Sequence, residues 1–222
     1  MTANLFDIAD KAVVVTGGLG QLGAQFSKAL IEAGARVAVF DIQTAPQRVS
    51  ERFGDLAANP NLRIYTVDIT SRKSIEDAVR QVLAEWGTPH GLVNNAALDS
   101  PPHAPAAENG PFETYPEASW DKVMEVNVKG TFLCCQAIGG RMAEAGRGSI
   151  INIASIYGMI SPDQRIYEYR HTDEGAFFKP VAYSASKSAI FNLTRYLATY
   201  WSSRNVRVNT LTFAGVFNKQ DE

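Results

Sequence analysis

Only two cysteines, three histidines and no long apolar run occur in this 222-residue chain, and each scarcity removes a class of protein. Cys134 and Cys135 are adjacent. Neighbours in a helix cannot close an ordinary disulfide, so the pair reads as two small buried side chains in a reducing compartment. His90, His103 and His171 are scattered, and no metal site is expected. The start MTANLFDIADK has no charged segment followed by an apolar one. No stretch reaches about 18 apolar residues, so neither export nor membrane spanning is indicated and a cytoplasmic protein is expected. Charge of one sign is missing too: 21 Lys and Arg are dispersed among 23 Asp and Glu, for a net charge of −2. That excludes a basic face for nucleic acid or anionic membrane. What remains is 45% hydrophobic residues, enough for a full core, in a length that suits one domain over residues 1–222.

Short β-branched runs alternate with longer helical patterns. Residues 12–16, 36–40, 63–67, 91–94, 149–154 and 206–210 read as buried strands. Near-continuous apolar runs of this kind fit a parallel sheet covered on both faces. Residues 21–33, 71–86, 117–145 and 183–203 carry helical periodicity. Ser71 and Ser74 offer N-cap chemistry, and Gly34 and Gly87 sit at expected helix stops. The alternation predicts an α/β fold, a doubly wound parallel sheet with right-handed crossovers. Two segments break the rhythm: residues 98–116, with five of the ten prolines, and residues 159–182. Both follow strand C-termini, the edge at which open α/β sheets bind ligands.

In VVVTGGLGQLGAQFSKAL a strand runs through glycines into a helix. Gly17 permits the tight turn, Gly20 lets the backbone approach a pyrophosphate, and Gly23 lets the helix pack against the strand. The helix N-terminus offers N–H groups and a positive dipole end to the phosphates. Asp41 closes the second strand 18 residues after Gly23, where an acid accepts the adenosine ribose hydroxyls. Its carboxylate repels the extra phosphate of NADP. Ile42 follows, and the nearest cation downstream is Arg48, so NAD is expected over NADP. Asp68, after the third strand, either holds an adenine amino group or serves as a turn residue before the next helix.

Tyr183 and Lys187 stand four residues apart in the helix-like stretch AYSASKSAIFNLTRYLA, so both project from one face. Alone, such a pair also reads as two surface residues. It comes with TGGLGQLG at 16–23, Asp41, DIT at 68–70, NNAA at 94–97, Asn127, Ser155 within INIASIYG and YSASK at 183–187. In that order these motifs resemble the short-chain dehydrogenase/reductase family over nearly the whole chain. The resemblance implies an enzyme with a single-domain Rossmann fold. Tyr183 is then the catalytic acid/base, Ser155 orients the substrate oxygen, Lys187 holds the nicotinamide ribose and Asn127 supports a proton-relay water. Leu22 and Ile69 complete the cofactor set, with Asn94 and Ala96 lining the cleft and stabilising the central sheet. Tyrosine ordinarily titrates near about 10, but a nearby ammonium and an oxidised nicotinamide favour phenolate. For Asn127, which interrupts the apolar helical stretch WDKVMEVNVKGTF, a purely structural reading stands beside the functional one.

Three features depart from the family pattern. The compact branch shows TGxxxGxG, whereas Gln21 occupies the position that would be glycine and the spacing TGxxGxxG suits the extended branch. The YSASK segment and short length favour the compact branch. Ala214 and Gly215 replace the family's PG after the sixth strand. The chain ends at Glu222, where the family continues into substrate-loop helices and a seventh strand, so either the sequence is incomplete or part of a lid is absent.

Between Ser155 and Tyr183 lie Arg165, Tyr167, Glu168, Tyr169, Arg170, His171, Asp173, Glu174, Phe177, Phe178 and Lys179. Mixed charges and rings suit a hydroxylated, sugar-like substrate, and they equally suit a solvated or subunit-contacting loop. The expected activity is NAD-dependent interconversion of a secondary alcohol and a ketone on a polar small molecule. The alternatives are a non-catalytic dinucleotide-binding sensor or scaffold and, less strongly, a sugar epimerase or dehydratase. The last helix carries Ile190, Phe191, Leu193, Tyr196, Leu197, Tyr200 and Trp201, more apolar surface than one face buries. With the helix of residues 117–145 it predicts a homodimer or homotetramer, unless all these rings are internal.

Overall fold

The computed structural model describes residues 6–99, 106–172 and 175–217; His103, Asp173 and Glu174 lie outside the described residues. Six strands, β1 (Ala12–Thr16), β2 (Arg36–Asp41), β3 (Leu62–Thr66), β4 (Gly91–Asn94), β5 (Gly148–Ser155) and β6 (Val206–Phe213), form one sheet. The order is β3-β2-β1-β4-β5-β6 and every pairing is parallel. The doubly wound sheet expected from the β-α alternation is the observed architecture.

The register explains the apolar runs. Ala38, Val14, Leu92, Ile150 and Val208 pair across five strands and all belong to one buried cluster, which Ile75, Val79, Ile138 and Met142 cover from the helices. One residue along, Val15, Val39 and Val93 pair on the opposite face and pack with Ile31 and Leu19. A strand buried on both faces has no polar alternation to show.

The helices are α1 (Gln21–Glu32), α2 (Pro46–Phe53), α3 (Arg72–Trp86), α4, a continuous helical stretch over residues 117–144, and α5 (Val181–Tyr200). Ser71 caps α3, its hydroxyl accepting from the Ser74 N–H. The expected set omitted α2, whose octapeptide PQRVSERF buries only Phe53 and so has no apolar stripe to read. Helix α5 begins directly after Pro180 and ends at Tyr200, before the 203 expected. Strand β6 runs beyond the expected 210 because all eight residues pair with β5. Helix α4 widens into π turns at Glu125–Gly130 and Cys135–Gly139, which a 3.6-residue period does not anticipate. Among the described residues no helix is long and apolar enough to cross a membrane.

The chain winds outward from β1 to β3 and returns to place β4 beside β1. At that switch point the two connections leave in opposite directions and open a crevice beyond the strand C-termini.

Candidate active site

The crevice is a cleft of about 900 Å³. Its floor begins where the turn after β1 meets the turn after β4. Gly17 has φ +60°, and a Cβ there would lie 2.8 Å from the Ala96 Cα, so only glycine fits without displacing the facing backbone. A Cβ on Gly23 would lie 2.2 Å from the Gly17 carbonyl oxygen, which is how α1 packs directly on the turn it leaves. Thr16 and Asn95 lock the two turns together. The Thr16 hydroxyl accepts from the Asn95 and Ala96 N–H groups at 3.0 and 3.1 Å, and the Asn95 amide donates to the Thr16 and Gly17 carbonyls at 3.1 Å each.

Gly17, Gly20 and Leu22 line the cleft at the start of α1, and Asp41, Asp68 and Ile69 line its far end. Both Asp41 oxygens are engaged, Oδ2 accepting from the Leu19 N–H at 2.9 Å and Oδ1 from the Gln43 N–H at 3.0 Å. Asp68 Oδ1 accepts from the Thr70 N–H at 2.8 Å and hydroxyl at 2.7 Å, which satisfies the turn reading while leaving the residue in the cleft wall. Arg48, on the unforeseen α2, also lines this end. Its Nε is buried without a partner among the described residues, and Nη2 reaches the Leu19 carbonyl at 3.5 Å.

At the other end stand Ser155, Tyr183 and Lys187. Ser155 is the last residue of β5; its hydroxyl accepts from the Tyr157 N–H at 3.2 Å and lies near the Tyr183 phenol. Lys187 is buried and donates to the Ile153 carbonyl at 2.9 Å, with Nζ 5.8 Å from the Tyr183 ring centroid. Burial brings its ammonium down to about 8, and Asp99 partly opposes that. Burial pushes the Tyr183 phenol up, the nearby Ser155 hydroxyl pulls it down, and Asp99 and Tyr157 push it further up. Within the protein's own groups the phenol is therefore raised, against the expectation that the lysine would lower it. Desolvation outweighs the favourable partner.

Two expected residues stand elsewhere. Asn94 does not line the cleft but keeps its expected place in the central sheet: it is buried in β4, where its amide donates to Asn152 Oδ1 of β5 at 2.8 Å and to Cys135 Sγ at 3.3 Å. Strand alternation turns Asn94 into the sheet, and its neighbour Asn95 takes the cleft position. Asn127 sits behind the wall. Its Oδ1 accepts from the Leu98 N–H at 2.7 Å, and its amide donates to the Leu98 carbonyl and the Ser186 hydroxyl at 2.9 Å each. Ser186 in turn donates to the Tyr183 carbonyl at 2.7 Å. Asn127, which lies in the first π turn of α4, thus ties that helix, the segment after β4 and α5 into one body.

Of the groups beside the phenol, Tyr167 and Lys179 belong to the segment read as suited to a polar substrate, while Asp99 and Tyr157 were not singled out. Lys179 Nζ lies 4.8 Å from the Tyr183 ring centroid and pairs with Asp99 at 2.6 and 2.8 Å. The hydroxyls of Tyr157 and Tyr167 meet at 2.7 Å. All four line the cleft, and the one available signal was their position just after strand C-termini or just before the Tyr183 helix. A phenol and a serine hydroxyl in one wall of a cleft can together hold a carbinol oxygen, and the deep glycine turn accommodates a dinucleotide backbone.

A family model described as enoyl-(acyl carrier protein) reductase matches residues 19–219. The chain is 34% identical over 209 residues to D-threitol dehydrogenase of Mycolicibacterium smegmatis, covering 93% of this chain and 70% of that protein. It is 35% identical over 210 residues to an NAD-dependent glycerol dehydrogenase of Listeria innocua, covering 93% and 71%. A short chain dehydrogenase from Leptospira borgpetersenii with bound NAD+ superposes with a TM-score of 0.82 at 29% identity, covering all of this chain and 78% of that one. With the glycine turn, the Ser155, Tyr183 and Lys187 group and these relatives in agreement, the chain belongs to the short-chain dehydrogenase/reductase family.

Proposed function

We propose that this protein is an NAD-dependent oxidoreductase that interconverts a secondary alcohol and a ketone on a polar, sugar-like small molecule. The observation that carries the reading is the gathering of Ser155, Tyr183 and the buried Lys187 in one cleft that runs on to Asp41. As the phenolate, Tyr183 would take the carbinol proton while Ser155 holds the same oxygen, and Lys187 would stand beside the nicotinamide ribose. Bound NAD supplies the hydride acceptor. Gly17, Gly20, Leu22 and the N-terminus of α1 hold its pyrophosphate, Asp41 its adenosine ribose, and Asp68, Ile69 and Ala96 border it. Asn127 positions Tyr183 through Ser186.

A polar substrate is favoured by the wall around Tyr183, where Asp99, Lys179, Tyr157 and Tyr167 present charged groups and hydroxyls, and by relatives named for threitol and glycerol. NADH formation from NAD+ and a panel of polyols tests the proposal. Tight NAD+ binding with no turnover on any alcohol would favour the sensor reading instead.

Residues 1–222 serve as one dinucleotide-binding domain in this reading, built on the single sheet. The two buried free thiols, Cys134 and Cys135, both pushed up by burial, suit a reducing cytoplasm. Assembly as a homodimer or homotetramer through α4 and α5 is supported by Tyr196 and Tyr200, 62% and 64% exposed and stacked at 5.8 Å, and by Phe132 on α4, 41% exposed.

A further inference from the structure

We propose that the Lys179–Asp99 ion pair is a substrate anchor that selects neutral polyhydroxylated molecules over anionic ones, an inference that rests on the oxidoreductase reading of the same cleft. The pair joins the two segments that follow β4 and β5. Asp99 comes five residues after β4, and Lys179 directly precedes Pro180, the residue that opens α5. Lys179 Nζ touches both carboxylate oxygens, at 2.6 and 2.8 Å, and stands 4.8 Å from the Tyr183 ring centroid. Whatever flanks the reacting carbinol at Tyr183 therefore meets this pair.

The backbone behind the lysine is fixed. The Lys179 N–H donates to Gln164 Oε1 at 2.9 Å, and its carbonyl accepts from Gln164 Nε2 at 3.4 Å. The two partners differ in exposure, the lysine side chain 12% and the aspartate side chain 49%. The carboxylate is thus the open face of the pair. Ionised, it accepts only, and each oxygen keeps capacity beyond the ammonium contact. Such a group takes hydroxyls in charge-assisted hydrogen bonds and repels a carboxylate or phosphate. A lone lysine at this place would attract those same anions. Asp99 cancels that attraction without removing the donors, so the site keeps hydrogen-bonding power and loses its preference for charge. Its field reaches further: it raises both Tyr183 and Lys187.

The test uses the whole chain with NAD+ and two probes of one carbon skeleton, a four-carbon polyol and the corresponding four-carbon aldonate. KM and kcat are measured for each, and binding of each to the NAD+ complex is measured by calorimetry. The wild type should favour the polyol. Asp99→Asn, nearly isosteric at a half-exposed position, should raise the polyol KM by about tenfold and lower that of the aldonate, so that the preference falls by on the order of a hundredfold. Lys179→Met leaves the carboxylate alone and should move the preference the other way. A general disturbance of the cleft would shift both variants in one direction. A preference unchanged in Asp99→Asn, or variants moving together, overturns the anchor. Absence of NADH from every alcohol with the binding preference still inverted overturns the oxidoreductase reading and leaves the anchor standing.

Discussion

The Lys187 ammonium donates to the Ile153 carbonyl at 2.9 Å, which fastens α5 to β5 at the level of the Tyr183 phenol. One buried side chain thus joins the helix to the sheet and stands beside the proposed ribose position. Lys187→Met should weaken NAD+ binding and turnover together, whereas loss of a purely structural strut would change stability alone. The pH dependence of stability gives a second readout. Lys187 falls from its ordinary 10.5 to about 8, so between those values the unfolded chain holds the proton that the folded chain has released. Stability relative to Lys187→Met should therefore rise with pH through that window, the burial penalty being full below about 8. Denaturant titrations of both proteins at several pH values measure it, and parallel curves would reject the shift.

Tyr183→Phe removes one hydroxyl and leaves the ring against Lys179 and Lys187. Turnover should fall by on the order of 10² to 10⁴ or more, with NAD+ affinity nearly intact. Retention of activity within a few fold would reject Tyr183 as the acid/base.

The sheet was legible because strands buried on both faces write themselves as apolar runs: Val13, Val14 and Val15 serve two cores between them. The glycine turn and the Tyr183–Lys187 face were legible as spacing. Three things were not. Helix α2 buries one residue, so Arg48 could not be carried to the cleft by any periodicity. The π turns of α4, in the first of which Asn127 meets Leu98 and Ser186, are not foreseen by a 3.6-residue wheel. Asp99 and Lys179 lie 80 residues apart, and only the folded loops make them a pair.

Cofactor choice should respond to Asp41 and Arg48 together. The carboxylate repels a 2′-phosphate, while the partnerless Arg48 Nε lies in the same end of the cleft. Wild type should bind NAD+ more tightly than NADP+, and Asp41→Ala should narrow the difference. Because Asp41 also holds the Leu19 and Gln43 N–H groups, this variant should lose some affinity for both cofactors. Adding Arg48→Ala should widen the difference again. Fluorescence titration of the three proteins decides it, and tighter NADP+ binding by wild type would sink the Asp41 argument.

Asn127→Ala separates positioning from proton relay. It leaves the Leu98 N–H, the Leu98 carbonyl and the Ser186 hydroxyl short of a partner in a buried place. An unmade buried hydrogen bond costs about 1–3 kcal/mol, which for a chain of this size lowers Tm by roughly 2–4 °C per kcal/mol. Tm and kcat should fall together. A relay role alone predicts a loss of kcat with Tm unchanged.

Assembly is tested at the exposed rings of α5. Tyr196 and Tyr200 stack at 5.8 Å on the outer face of the helix whose inner face holds Ser186, Lys187, Ile190 and Thr194. Two large rings one turn apart, with Phe132 exposed on α4, make a patch that a two-fold contact would cover with its own copy. Tyr196→Glu with Tyr200→Glu puts like charges on both sides of such a contact and should turn a dimer or tetramer into a smaller species at micromolar concentration. The inner face is untouched, so the far-ultraviolet circular dichroism should be unchanged. If the contact steadies α5, turnover should fall with dissociation and recover as protein concentration rises. A wild-type chain that sediments as a fully active monomer would remove both the contact and its influence on Tyr183.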